Sequence, residues 1–197
     1  MKAYRHILLA MGLTAIINRM LYPIMALYVY STSQDYLMVG LMMALPFMAA
    51  VPMSFVWGMV SDRLGSRSRV IAIAGTVGGL LFFIFPFVGT VGLIGVRFAQ
   101  VAFTTSFVLL NAVATECYPR EKGRSVGDLN LVGGIGQAVG ALAAGLLLPS
   151  SQLFIGSQQS TVLFYIAGAI TISAALSLLP MRERNIPSKK ARLNSVL

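Results

Sequence analysis

Two arginines, Arg19 and Arg97, lie inside long apolar stretches of the sequence and have polar neighbours at helical spacing. Asn18 and Tyr22 flank Arg19. A polar stripe follows Arg97 along one predicted helical face: Gln100, Thr104, Asn111 and Thr115. A buried arginine is costly in an apolar layer, so such residues face an interior or a watery cavity. The planar guanidinium binds oxyanions in a forked geometry, which makes anion binding the chemistry these residues favour.

The apolar stretches contain no carboxylate that could neutralise these two arginines. All six Asp and Glu residues lie in predicted loops or at the ends of apolar stretches. An anionic solute such as a carboxylate or phosphate would supply the missing charge. The alternative is a structural role, in which Arg97 is bonded to backbone carbonyls and to Gln100. The sequence leaves both interpretations open for Arg97, and it gives no proton carrier inside the apolar stretches.

The segment 58–69 combines glycines with clustered charges and reads GMVSDRLGSRSR. Gly58 permits close approach of another helix, and Gly65 permits the positive φ that a tight turn requires. Asp62 is the only carboxylate in the cluster, so it can accept hydrogen bonds from Arg63, Arg67 or Arg69. A solvated basic loop would explain single arginines here, but it explains this spacing of Gly, Asp, Arg and Gly poorly.

Residue types that perform catalysis or bind metals are scarce. The chain has one cysteine, Cys117, and one histidine, His6, so it cannot build a zinc site or an internal disulfide alone. It also lacks a GxSxG motif and a pair of intramembrane carboxylates. We therefore expect neither an enzyme nor a cofactor or metal site.

The elements that position these residues must be membrane helices. Of the 197 residues 57% are hydrophobic and 11% charged, and the mean hydropathy is +0.80, whereas soluble domains carry about a quarter charged residues. Each apolar stretch has about the length that a bilayer requires, and only helices satisfy its backbone internally. The predicted fold is all-α and polytopic, with six transmembrane spans: Ile7–Tyr30, Tyr36–Val60, Val70–Phe87, Val91–Thr115, Val126–Leu148 and Val162–Leu179.

The net charge of +9 predicts topology rather than a nucleic-acid partner. Thirteen of the fifteen Lys and Arg residues lie before the first span, between spans two and three, between spans four and five, or after span six. The alternate loops contain none. The positive-inside rule then predicts a multi-pass cell-membrane protein with both termini in the cytoplasm. The expected domains are a six-helix bundle over 1–180 and a basic cytoplasmic tail over 181–197.

The segment between spans two and three resembles the loop signature of the major facilitator superfamily of secondary transporters. The chain matches that signature at Gly58, Asp62, Arg63, Gly65 and Arg67, and departs from it with Val60 for Leu and Ser66 for a basic residue. Span four resembles the family at Arg97 and Gln100, although Val101 replaces a glycine. The loop 116–124 also resembles the family's acidic, Pro-bearing loop.

The resemblance implies the amino-terminal half of the usual twelve-helix transporter, built of two three-helix repeats, Met1–Pro86 and Phe87–Pro180. It implies that spans one and four line a central cavity in the lipid bilayer. A small solute, an anion on the first interpretation of the two arginines, would be moved by alternating access. Its path would be lined by Asn18, Arg19, Tyr22, Arg97, Gln100 and Thr104. It also implies that Gly58, Asp62, Arg63, Gly65 and Arg67 form an inner gate against a second half.

The second six-helix half could be another copy of this half-size chain or a separate chain. The alternatives are a non-transporting membrane subunit or scaffold, and a truncated fragment of a twelve-helix transporter. One difficulty concerns the gate. Ser125 and Asp128 form a capping-box pattern where span five begins, so Asp128 would compete with Asp62 for that helix end. The glycine-rich span five itself is interpreted as a close-packing face rather than as evidence of antiport.

Overall fold

The computed structural model describes residues 2–118, 121–147 and 157–181. The described residues form helices joined by short turns, as the all-α prediction requires, and no strand occurs among them. Seven α-helices follow the chain: α1 Lys2–Ser33, α2 Tyr36–Leu64, α3 Arg67–Leu81, α4 Thr90–Thr104, α5 Leu109–Cys117, α6 Lys122–Leu147 and α7 Ser157–Leu176. Two 3-10 helices, Phe85–Phe87 and Thr105–Val108, separate α3 from α4 and α4 from α5. The predicted basic tail lies outside the described residues apart from Met181.

Among the described residues, five helical segments are long and apolar enough to cross a membrane, and they overlap the first five predicted spans. The described apolar helix in the sixth position, Thr161–Leu176, is shorter. Helix α2 keeps Pro46 and Pro52 inside one continuous helix. It begins after Asp35, whose carboxylate accepts a hydrogen bond from the Leu37 N–H at 2.8 Å.

The predicted fourth span is not one uniform α-helix, because a 3-10 turn separates α4 from α5. Hydrogen bonds from threonine hydroxyls explain where the α-helix tightens into the 3-10 turn. Thr104 Oγ1 donates to the Gln100 carbonyl at 3.0 Å, and Thr105 Oγ1 donates to the Val101 carbonyl at 2.8 Å. Such hydroxyls add a second donor to carbonyls of the preceding turn, which perturbs and often bends a helix.

Helices α1 and α6 pack at backbone distance along the glycine face predicted for span five. A Cβ placed on Gly136 would lie 2.8 Å from the Gly12 carbonyl oxygen and 3.0 Å from the Ala15 Cβ. Gly133, Gly136, Gly140 and Ala144 are buried, whereas Ala141 and Gly145 are exposed. The close-packing face therefore follows the row of Gly136, Gly140 and Ala144, which repeats every four residues, with Gly133 beside it. This contact fixes α6 beside the part of α1 that carries Arg19.

The apolar core has two parts, one towards each end of the bundle. The part nearer the amino terminus is centred on Ile7, Ile71 and Leu129, and the other on Met25, Phe85 and Phe164. Along the helices, most polar residues of the apolar spans lie between these two parts of the core. The mid-height of the bundle is therefore where a polar cavity can form.

Candidate solute-binding cavity and charge cluster

A cavity with a volume of about 540 Å³ opens at the mid-height of the bundle, between α1, α2, α4, α5 and α6. The structure brings all six predicted solute-path residues to its wall: Asn18, Arg19, Tyr22, Arg97, Gln100 and Thr104. Helix α1 positions the first three within one turn, and α4 positions the last three on one face at spacings of three and four residues. The fold of α1 and α4 thus brings these two groups of residues, which are far apart in the sequence, to one cavity wall.

The two arginines occupy different environments in the cavity wall. Arg97 is 9% exposed, and its NH1 donates a hydrogen bond to Gln100 Oε1 at 2.6 Å. Its Nε is buried and has no hydrogen-bond partner among the described residues. Arg19 is exposed to the cavity and has no ion-pair or hydrogen-bond partner within the described part of the chain. A neutral amide oxygen satisfies one donor of Arg97 but leaves both positive charges uncancelled.

Of the two contacts expected from a purely structural Arg97, the structure therefore shows one. The predicted bond to Gln100 is present, but no bond from the guanidinium to a backbone carbonyl occurs among the described residues. Gln100 in turn donates from Nε2 to Thr104 Oγ1 at 3.3 Å, which links the three α4 residues into one chain. This chain holds the buried guanidinium in place and directs its remaining N–H groups away from Gln100.

Sequence reasoning missed several residues of the cavity wall. Thr14, Thr105 and Gln137 add polar groups, and a lone glutamine in the glycine-rich α6 could have drawn attention to Gln137. The apolar part of the wall was also missed, and its main members are Pro46, Phe47, Ala50, Phe107 and Val108. Thr115, at the end of the predicted polar stripe, lies outside the wall, and its hydroxyl donates to the Ala112 carbonyl at 2.9 Å.

A charge cluster joins the ends of three helices. Arg67, at the start of α3, contacts Asp62 Oδ1 from NH2 at 3.3 Å and Glu116 Oε1 from NH1 at 2.8 Å. The Arg67 side chain is 18% exposed, so it is the buried centre of the cluster. Asp62 was expected to accept hydrogen bonds from a neighbouring arginine, whereas Glu116 on α5 was not foreseen as the second carboxylate.

The two signature glycines have different environments. Gly65 ends α2 with φ +65°, a conformation that L-residues other than glycine rarely adopt, and its N–H donates to the Ser61 carbonyl at 3.0 Å. Gly58 was expected to allow close approach of a helix. No atom of the described residues lies within 4 Å of a Cβ placed there, so no helix of this bundle approaches it. Arg63 is exposed on the last turn of α2.

The predicted capping box at Ser125 and Asp128 is wrong. Helix α6 already begins at Lys122, and the Ser125 hydroxyl donates to the Lys122 carbonyl at 2.9 Å inside the first turn. Asp128 accepts a hydrogen bond from the Tyr4 hydroxyl at 2.8 Å, which ties α6 to α1. Tertiary bonding has replaced the local cap, so Asp128 does not occupy the helix end for which Asp62 was expected to compete.

The sequence profile described as Major Facilitator Superfamily matches residues 7–194. The chain belongs to the Major Facilitator Superfamily. This family consists of membrane transporters, and five apolar helices of spanning length make this member a multi-pass membrane protein. The resemblance carried by residues 58–67 is thereby confirmed at the level of the family. No curated protein sequence matches the chain.

Proposed function

We propose that this facilitator-superfamily chain forms one six-helix half of a secondary transporter that moves a small anionic solute by alternating access. The observation that carries the proposal is the pair Arg19 and Arg97. Both lie in the wall of one cavity of about 540 Å³, and neither has a carboxylate partner among the described residues. An arginine inside a membrane is costly unless it meets water or a counter-charge, so an anion in the cavity completes the site.

The exposed polar residues of the spans support a second six-helix unit. Asn18 and Arg19 on α1, Asn111 on α5 and Gln137 on α6 are all exposed and line the same cavity. Hydrocarbon cannot solvate amides and guanidinium groups, so this face requires a watery interface rather than lipid. We propose that the second unit is another copy of this chain or a separate chain, and that the cavity lies between the two units.

The proposed topology has six spans in two three-helix repeats, with both termini in the cytoplasm of the cell. The absence of Lys and Arg from the alternate loops supports it. On that topology the charge cluster of Asp62, Arg67 and Glu116 lies on the cytoplasmic side. We propose that Gly58, Asp62, Arg63, Gly65 and Arg67 form the inner gate, which meets the second unit when the cytoplasmic side is closed.

Uptake into proteoliposomes tests the anion proposal. The chain, together with any second unit that co-purifies, is supplied with a labelled short carboxylate and with its matched primary amide. We expect carboxylate uptake to exceed amide uptake, and Arg19→Gln to lower that preference by about tenfold, because a charge-assisted bond contributes roughly 1.5–3 kcal/mol. Arg69→Gln removes an exposed charge outside the cavity wall and is the matched control.

Two results would overturn the proposal. Unaltered carboxylate preference in Arg19→Gln would show that the guanidinium does not meet the solute. Absence of any solute flux from a chain that co-purifies with a larger membrane partner would instead support a non-transporting subunit.

A further inference from the structure

The apolar part of the cavity wall has no role in binding a small inorganic anion. Phe47 on α2 is 68% exposed and Val108, in the 3-10 turn between α4 and α5, is 47% exposed, yet both line the cavity that holds the arginines. A cavity formed only to hold a hydrated anion would not present aromatic and aliphatic side chains to that anion's water.

The size of the cavity also favours an organic ligand over an inorganic anion. Sites that bind organic molecules are concave, measure about 300–1,000 Å³ and combine an apolar lining with a few placed polar groups. The volume here is about 540 Å³, and its polar groups converge from α1 and α4 while its apolar groups come from α2 and the 3-10 turn. An inorganic anion would use the arginines alone, whereas an amphipathic organic anion would use both parts.

The arginine part of the wall supplies unused donors for a carboxylate head group. Arg97 uses NH1 for Gln100, and its buried Nε has no partner among the described residues. An oxyanion beside the guanidinium can accept from such donors in a planar, forked geometry. Arg19, exposed in the same cavity, adds a second positive charge.

We infer that the solute is an amphipathic organic anion, with its oxyanion head at Arg97 and Arg19 and its apolar, aromatic body against Phe47 and Val108. This inference rests on the proposed function and narrows its substrate class. The arginines provide selection for charge, and the apolar wall provides selection for size and hydrophobicity. Inorganic phosphate is accordingly expected to be a poor ligand.

Titration calorimetry of the protein in nanodiscs tests the inference with four probes: 3-phenylpropionate, acetate, 3-phenylpropan-1-ol and inorganic phosphate. Burial contributes roughly 0.8 kcal/mol per CH₂, or about fourfold in affinity, so we expect 3-phenylpropionate to bind at least about tenfold more tightly than acetate or phosphate. Phe47→Ala should reduce that ratio several-fold. Phe55→Ala is the matched control, because Phe55 lies two turns further along α2, is 73% exposed and does not line the cavity.

The outcomes separate this inference from the proposed function. Equal binding of the acid and its alcohol would overturn both, and so would a lack of binding by either carboxylate. Carboxylates that bind better than the alcohol, but with no advantage of 3-phenylpropionate over acetate, would overturn the amphipathic class alone. An equal loss in Phe47→Ala and Phe55→Ala would also overturn it, since partition into the lipid would then account for the advantage of the ring.

Discussion

At the scale of single residues, the pairing of Arg97 with Gln100 leaves the positive charge of Arg97 available to an anionic solute. The amide oxygen of Gln100 accepts one hydrogen bond at 2.6 Å but brings no negative charge, and Gln100 is itself only 2% exposed. Gln100→Glu would place a carboxylate against the guanidinium and compete with an anionic solute for it. We expect at least about tenfold weaker 3-phenylpropionate binding, because charged hydrogen bonds contribute roughly 1.5–3 kcal/mol. Calorimetry measures the affinity, and thermal unfolding checks that the fold persists.

Gln100→Leu is the companion variant for this prediction. It removes the acceptor of Arg97 without adding charge, so it should lower the free energy of unfolding by about 1–3 kcal/mol through an unsatisfied buried donor. Carboxylate binding that stays unchanged in Gln100→Glu would contradict the prediction and would give Arg97 a purely structural role.

Most of the polar residues of the cavity wall could be predicted from sequence, although Thr14, Thr105 and Gln137 were not, and the apolar ones could not. Arg19 and Gln100 stand out because a polar group in an apolar span is costly and needs a reason. Phe47 and Phe55 are both exposed phenylalanines on α2, so nothing local distinguishes the one that lines the cavity. That difference depends on how α2 packs against α4. The 3-10 turn at Thr105 likewise depends on hydroxyl bonds that several threonines of these spans could have made.

At the scale of the elements, the contact between α1 and α6 positions Arg19 relative to the rest of the cavity wall. Gly136 allows it, because a Cβ there would meet the Gly12 carbonyl oxygen at 2.8 Å. We expect Gly136→Ala to lower the free energy of unfolding by about 1–3 kcal/mol, the range found for overpacked interiors. A backbone shift of α1 would also weaken solute binding. Thermal or denaturant unfolding in detergent measures the stability.

Gly134→Ala is the matched control on the same helix. Gly134 is exposed, and no atom of the described residues lies within 4 Å of a Cβ placed there. The control should retain the stability of the parent chain, since alanine favours helix more than glycine does. Equal destabilisation by both variants would mean that the contact with Gly12 does not account for the loss, since helix propensity favours alanine at both positions.

At the scale of the whole molecule, the proposed inner gate would couple this unit to the proposed second one. Arg67 joins Asp62 of α2 to Glu116 of α5, so it links the adjacent ends of α2, α3 and α5. Asp62 is the outer member of the cluster, with a side chain 68% exposed, and remains available to the second unit. Loss of its contact there should favour the state that is open to the cytoplasm, while the distant cavity keeps its affinity.

Cys117 allows that shift to be measured, because it is the chain's only cysteine, is exposed and follows Glu116 directly. We expect a membrane-impermeant maleimide to modify Cys117 about twofold to fivefold faster in Asp62→Ala, since an exposed ion pair contributes up to about 1 kcal/mol. Labelling is done on inside-out vesicles, with 3-phenylpropionate affinity measured in parallel. Glu121→Ala removes another exposed cytoplasmic carboxylate, paired with Arg124 at 3.4 Å, and should leave the rate unchanged. An unchanged rate in Asp62→Ala together with weaker binding would assign Asp62 to the solute path instead of the gate.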